Sequence, residues 1–137
     1  MKLPHPFKSI FLFSLGICFF SGLFWWIFEN WIRVKGMLGD EHHPSQIWFI
    51  RIHTAFAFIL LLGLGYLIKV HIEPGLKKKE KRRSGLSMSA VFSILIITAL
   101  PILYATEGPL RSSSSFIHTY LGLALPLFLG IHLIVKK

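Results

Sequence analysis

The chain has 137 residues, 53% of them hydrophobic and only 15% charged, with a formal charge of +9. Soluble domains carry about a quarter charged residues and give their helices polar faces, so this composition excludes an ordinary soluble fold. The basic residues fall between apolar runs, which makes them a membrane-topology signal and argues against a nucleic-acid partner.

In chain order, Lys2, His5 and Lys8 precede a first apolar run from about Ser9 to Ile32. This run is long, rich in Phe and Trp, and not followed by a small-x-small cleavage site, so it is read as a span and not as a signal peptide. It holds Cys18, the single cysteine, which excludes an internal disulfide and reads as packing filler. No Cys-x-x-Cys-His sequence is present for covalent haem attachment. The second run covers about Ile47 to Ile72, the third Leu86 to Thr106 and the fourth Phe116 to Val135. Each reaches the ~20 residues that a helix needs to cross ~30 Å of hydrocarbon. None alternates with the period of two that barrel strands require. The expectation is a single all-α membrane domain: four transmembrane helices in an up-down-up-down bundle.

Lys77, Lys78, Lys79, Lys81, Arg82 and Arg83 lie between spans two and three; Lys2 and Lys8 precede span one, and Lys136 and Lys137 follow span four. The opposite connections hold only Arg33, Lys35, Arg51 and Arg111. The positive-inside rule then puts both termini and the basic loop in the cytoplasm, as expected of a multi-pass protein of a bacterial inner membrane. Trp25, Trp26, Trp31 and Trp48 fit an aromatic belt at the outer interface. Spans two and four run in the same direction and, in such a bundle, stand on a diagonal.

Of the seven histidines, His42 and His43 lie in the first outer loop, His53 and His71 in span two, and His118 and His132 in span four. One intramembrane histidine is often only a polar residue bonded to a neighbouring helix. Four of them confined to two parallel helices are more telling, because ionisable groups at membrane depth are costly and usually functional. His53 and His118 lie toward the outer ends of their helices, His71 and His132 toward the inner ends. The spacing from His53 to His71 is about five helical turns and that from His118 to His132 about four, so each helix presents its two imidazoles on one face.

Haem iron takes two axial ligands on opposite faces of a flat macrocycle, and histidine is a common one. Neighbouring helices pack at about 8–10 Å, whereas the diagonal of a square bundle is roughly 14 Å, wide enough for a porphyrin between two imidazoles. Structural zinc prefers four ligands together, not two groups of two. The ligand separations differ, at about 27 Å along span two and about 21 Å along span four, so one helical turn must be absorbed by tilt, by a kink at Pro126 or by offset rings. Gly63, Gly65, Gly122 and Gly130 would admit a macrocycle edge or simply close helix packing. Arg51 and Arg111 are candidates for outer haem propionates and Lys69 for inner ones; interfacial snorkelling is the alternative for each.

Paired histidines on the second and fourth of four helices, with a basic inner loop, resemble the cytochrome b561-like di-haem superfamily. This group includes bacterial b561 proteins and the cytochrome b subunits of hydrogenases and formate dehydrogenases. The similar segments are Arg51-Ile52-His53 and the stretch from Leu100 to His132, with Gly108, Phe116-Ile117-His118, Leu121-Gly122 and Ile131-His132. The resemblance implies two bis-histidine b haems, His53 and His118 holding the outer and His71 and His132 the inner. It also implies electron transfer between a quinone and a partner redox subunit, such as a periplasmic cytochrome or an iron–sulfur protein. Glu29, with Asp40, His42 and His43 in the loop that follows, is a candidate proton-handling group at an outer quinol site; an i,i+4 pair with Arg33 is the plainer reading. A non-haem anchoring subunit and a small metal-ion transporter remain alternatives.

Overall fold

The computed structural model describes residues 4–37, 39–78 and 82–134. Lys2, Lys79, Lys81, Val135, Lys136 and Lys137, which enter the span and topology expectations above, lie outside them. Four helices are long and apolar enough to cross a membrane, as expected of a multi-pass membrane protein. In chain order the elements are α1 (His5–Trp31), β1 (Arg33–Gly36), β2 (Gly39–His42), α2 (Gln46–Leu67), a π-helical turn (Ile68–Ile72), α3 (Glu73–Lys78), α4 (Arg82–Tyr104) and α5 (Pro109–Ile134).

All four helices start before the apolar runs, and α1, α4 and α5 are longer than them, because helix starts are set by backbone chemistry and not by hydropathy. Proline is tolerated in the first turn, where its missing N–H has no intrahelical partner. Pro6 thus stands inside the first turn of α1, and Pro109 opens α5 seven residues before the expected Phe116. The connection between α1 and α2, for which the sequence indicated no strand, forms an antiparallel hairpin pairing Arg33 with His42, Val34 with Glu41, Lys35 with Asp40 and Gly36 with Gly39. Gly39 supports the tight turn at φ 129°, a conformation that residues with a Cβ rarely adopt.

The chain divides into two compact units, Met1–His71 and Ile72–Lys137. The first is an antiparallel helical hairpin. Phe7 packs against Tyr66 at one end, with ring centroids 4.5 Å apart, and Phe28 meets Phe49 at the other, 4.9 Å apart. Between them α1 and α2 approach closely at glycines: a Cβ on Gly63 would stand 2.8 Å from the ring of Phe11. The second unit is also an antiparallel hairpin. His118 of α5 bonds Leu95 of α4, and His132, further along α5, lies beside Gly85 near the start of α4.

Burial differs from that of a soluble protein, since polar residues are buried beside apolar ones such as Leu15, Leu60 and Leu125. Ser14, Ser21, Gln46, Thr98 and Ser114 are buried, whereas Phe13, Leu62, Leu127 and Ile134 are among many large apolar side chains left exposed. Small and hydroxyl-bearing residues at helix contacts, with aliphatic and aromatic ones turned outward, suit lipid as the solvent.

Candidate functional site

In the first unit, His53 sits on the face of α2 that meets α1. Its Nδ1 lies 2.8 Å from the backbone carbonyl of Cys18. A carbonyl can only accept, so Nδ1 carries the proton and Nε2 is the lone-pair nitrogen of the neutral ring. The thiol of Cys18 lies 3.6 Å from the same Nδ1 and donates to the carbonyl of His53 at 3.7 Å. Ser21, one turn along α1, donates to the carbonyls of Ile17 at 2.7 Å and Cys18 at 3.0 Å. Gly22 leaves room for the ring.

The second unit repeats the arrangement. Nδ1 of His118 lies 3.0 Å from the carbonyl of Leu95, which fixes the same tautomer. Thr98, again one turn along, reaches the carbonyls of Ile94 at 2.7 Å and Leu95 at 3.2 Å. Its Oγ1 also lies 3.1 Å from Nδ1 of His118. Buried leucines follow at equal spacing, Leu60 seven residues after His53 and Leu125 seven after His118. Thus Ile17, Cys18 and Ser21 in α1 correspond to Ile94, Leu95 and Thr98 in α4.

The expected inner ligands are less alike. His132 belongs to a regular α-helical stretch, with Cε1 3.9 Å from where a Cβ on Gly85 would be. His71 lies within the π-helical turn. A π turn contains more residues than an α turn, with i→i+5 bonds. The α-helical count of five turns from His53 therefore does not carry through Ile68–Ile72, where His71 lies. The Nδ1 atoms of both His71 and His132 are buried.

The end of the first unit that carries the β-hairpin gathers a polar cluster. Glu29 accepts from Arg33 at 2.8 Å through Oε1 and from the buried amide of Gln46 at 2.6 Å through Oε2. The hairpin register sets His42 opposite Arg33, and Nδ1 of His42 comes within 3.0 Å of Glu29 Oε2, 3.2 Å of Arg33 Nη1 and 3.2 Å of Gln46 Oε1. That nitrogen faces one donor and two acceptors, so it has a partner whether or not it carries a proton. The Glu29–Arg33 pair, the plainer reading of Glu29, is present, and Glu29 contacts His42 as well. His43 instead accepts from the Ser45 backbone N–H at 3.2 Å and packs its ring on Phe28, and Asp40 is paired in the hairpin with Lys35.

Arg51 lays its guanidinium over Trp48, 5.2 Å from the ring centroid. Lys69 and Arg111 are exposed. Among the described residues, no three His, Cys, Asp or Glu side chains gather as a metal-binding group. Sequence reasoning missed Ser21, Gly22, Gln46, Leu95 and Thr98, and took Cys18 only as filler. Residue type alone did not single out the hydroxyls, because Ser14 shares the first run with Ser21, and Ser87, Ser89 and Ser93 share the third with Thr98. The acceptors are backbone carbonyls, which leave no trace in residue identity. Compared with family models, curated proteins and solved structures, the chain matches none.

Proposed function

We propose that this chain is a di-haem b-type cytochrome of a bacterial cytoplasmic membrane, with both termini in the cytoplasm. In this reading it passes electrons through the bilayer between a quinone pool and a partner redox subunit, a periplasmic cytochrome or an iron–sulfur protein. His53 and His118 are the ligands proposed for the outer haem, and His71 and His132 for the inner one, following their positions along spans two and four.

One observation carries the reading: His53 and His118, in separate hairpins, each donate Nδ1–H to a backbone carbonyl of the preceding transmembrane helix. A metal-ligating histidine almost always donates its second ring N–H in this way, which fixes the tautomer and directs the Nε2 lone pair to the metal. A histidine serving only helix packing has no need for the same nitrogen, the same kind of acceptor and the same flanking hydroxyl in both units. When bound, the haem would supply one-electron chemistry between ferrous and ferric iron. The protein holds each imidazole in register, excludes water with apolar side chains, and offers Arg51, Arg111 and Lys69 as counter-charges for propionates.

The cluster of Glu29, His42 and Gln46 suits a quinol headgroup, because it combines a carboxylate, an imidazole able to take or release a proton, and a buried amide. An apolar groove on the same unit, lined by Phe13, Phe20, Phe24 and Phe49, suits a prenyl tail. The deciding experiment is the reduced-minus-oxidised absorption spectrum of the detergent-purified protein. The sharp alpha band of bis-histidine b haem is expected. A spectrum without it would leave the anchoring or ion-transport alternatives.

A further inference from the structure

Glu29 has three side-chain partners, and they differ in what they can do with a proton. Oε1 accepts from Arg33 at 2.8 Å and Oε2 from Gln46 at 2.6 Å, with Nδ1 of His42 3.0 Å from that second oxygen. A guanidinium is effectively always protonated, and a primary amide neither takes nor gives a proton. Only the imidazole can accept a proton on one nitrogen and release one from the other. The partners differ in exposure too. Gln46 is buried, the Arg33 side chain is 33% exposed and that of His42 is 66% exposed. The one partner able to carry a proton is thus the one most open to water. Among the described residues, the hydrogen bonds and ion pair of the His42 ring are all made by Nδ1, which leaves Nε2 to solvent. Nδ1 is served in either state: Gln46 Oε1 at 3.2 Å accepts from it when it is protonated, and Arg33 Nη1 at 3.2 Å donates to it when it is not.

We infer that His42 is the proton outlet of the Glu29 cluster, an imidazole that takes from Glu29 a proton given up by the bound quinol and passes one on to water. The inference rests on the quinol reading above. One quinol O–H bond breaks as its proton joins the Glu29 carboxylate, and the electron leaves for the haem. The carboxylic acid gives that proton to Nδ1 of neutral His42, and the imidazolium so formed gives its Nε2 proton to water. Glu29 is then a carboxylate again, and exchange with solvent returns the ring to its starting tautomer. The β-hairpin supplies this outlet: its register sets His42 opposite Arg33, at the ends of α1 and α2 where Glu29 and Gln46 meet.

The test is the reduction of the purified full chain, with haem bound, by a short-chain quinol in buffer with and without free imidazole. His42→Ala is expected to slow reduction by roughly 10²-fold, and free imidazole to restore much of that loss while leaving the wild-type rate unchanged. His42→Gln keeps a donor and an acceptor beside Glu29 but carries no proton, so it is expected to be slow as well. It also keeps the test open should the alanine variant not accumulate. A wild-type rate in His42→Gln overturns the inference, because it shows that the ring only fills a place in the hydrogen-bond network. A slow His42→Ala that imidazole does not accelerate overturns it too, since a lost structural contact is not repaired by a soluble base. Failure of the quinol reading looks different: Glu29→Gln would then be reduced as fast as wild type, and the outlet would fall with the site it serves.

Discussion

Gly22 lies so close to the imidazole of His53 that a Cβ there would stand 2.9 Å from Nδ1 and 3.0 Å from Cε1. Real Cβ atoms do not approach a ring so closely, and the ring is held by its bond to Cys18 O, so a larger residue must displace one or the other. Overpacking of this kind typically costs about 1–3 kcal/mol. Gly22→Ala is therefore expected to lower the thermal stability of the detergent-solubilised protein and to reduce occupancy of one haem. Gly16→Ala, on the same helix but with open space around its Cβ position, serves as the control and should be close to neutral. Equal effects from the two substitutions would show that the approach to His53 carries no special constraint.

Replacing the proposed ligands one at a time separates the two haems. His118→Ala is expected to remove one haem and His132→Ala the other, each variant retaining about half of the haem extracted per chain. Loss of both haems from either substitution would argue against two independent sites. Undiminished haem in His118→Ala would remove that residue from the ligand set.

Spans and histidines were legible in sequence for a simple reason. Hydropathy over some twenty residues and the presence of imidazole are properties of residue type; a bilayer requires the first and makes the second costly. What holds His53 and His118 was not legible, because Cys18 and Leu95 contribute backbone carbonyls that any residue would supply. The π-helical turn at Ile68–Ile72 escaped as well: Ile-Lys-Val-His-Ile reads as a continuing helix, so His71 was counted at α-helical spacing. The hairpin of Arg33–Gly36 with Gly39–His42 was hidden by its charged strands, which lack apolar alternation. Its register is nevertheless what brings His42 to Glu29, so part of the candidate quinol site depended on an element that pattern reading does not see.

Within that cluster, the contributions of Glu29 should separate by partner. The Arg33 pair is partly exposed, and such i,i+4 ion pairs contribute only about 0.3–0.5 kcal/mol, so Arg33→Gln is expected to leave stability almost unchanged. Gln46 is buried and donates to a carboxylate, a type of bond that contributes about 1.5–3 kcal/mol. Gln46→Leu should consequently destabilise the outer end of the first hairpin measurably. Glu29→Gln keeps the shape but removes the base. If this group takes the quinol proton, the rate of haem reduction by a short-chain quinol should fall by roughly 10²-fold or more. A rate within a factor of two of wild type would detach the cluster from quinol chemistry.

The orientation on which the words outer and inner depend can be tested with single cysteines, since Cys18 is the only native one and is buried. In a Cys18→Ser background, Met37→Cys places a thiol at the fully exposed hairpin tip, and Leu76→Cys places one in α3 beside the basic loop. In the proposed orientation Lys77, Lys78, Lys79, Lys81, Arg82 and Arg83 would keep their loop on the synthesis side of the membrane, with the hairpin on the other. A membrane-impermeant maleimide added to intact spheroplasts should accordingly label Met37→Cys and spare Leu76→Cys until the membrane is opened. The reverse pattern would put Glu29, His42 and His53 on the cytoplasmic side, and a quinol oxidised there would release its protons into the cytoplasm. Electrons passed from there to a periplasmic partner would have to cross the bilayer outward and dissipate the membrane potential, so the labelling result fixes the sense of proton release as well as the topology.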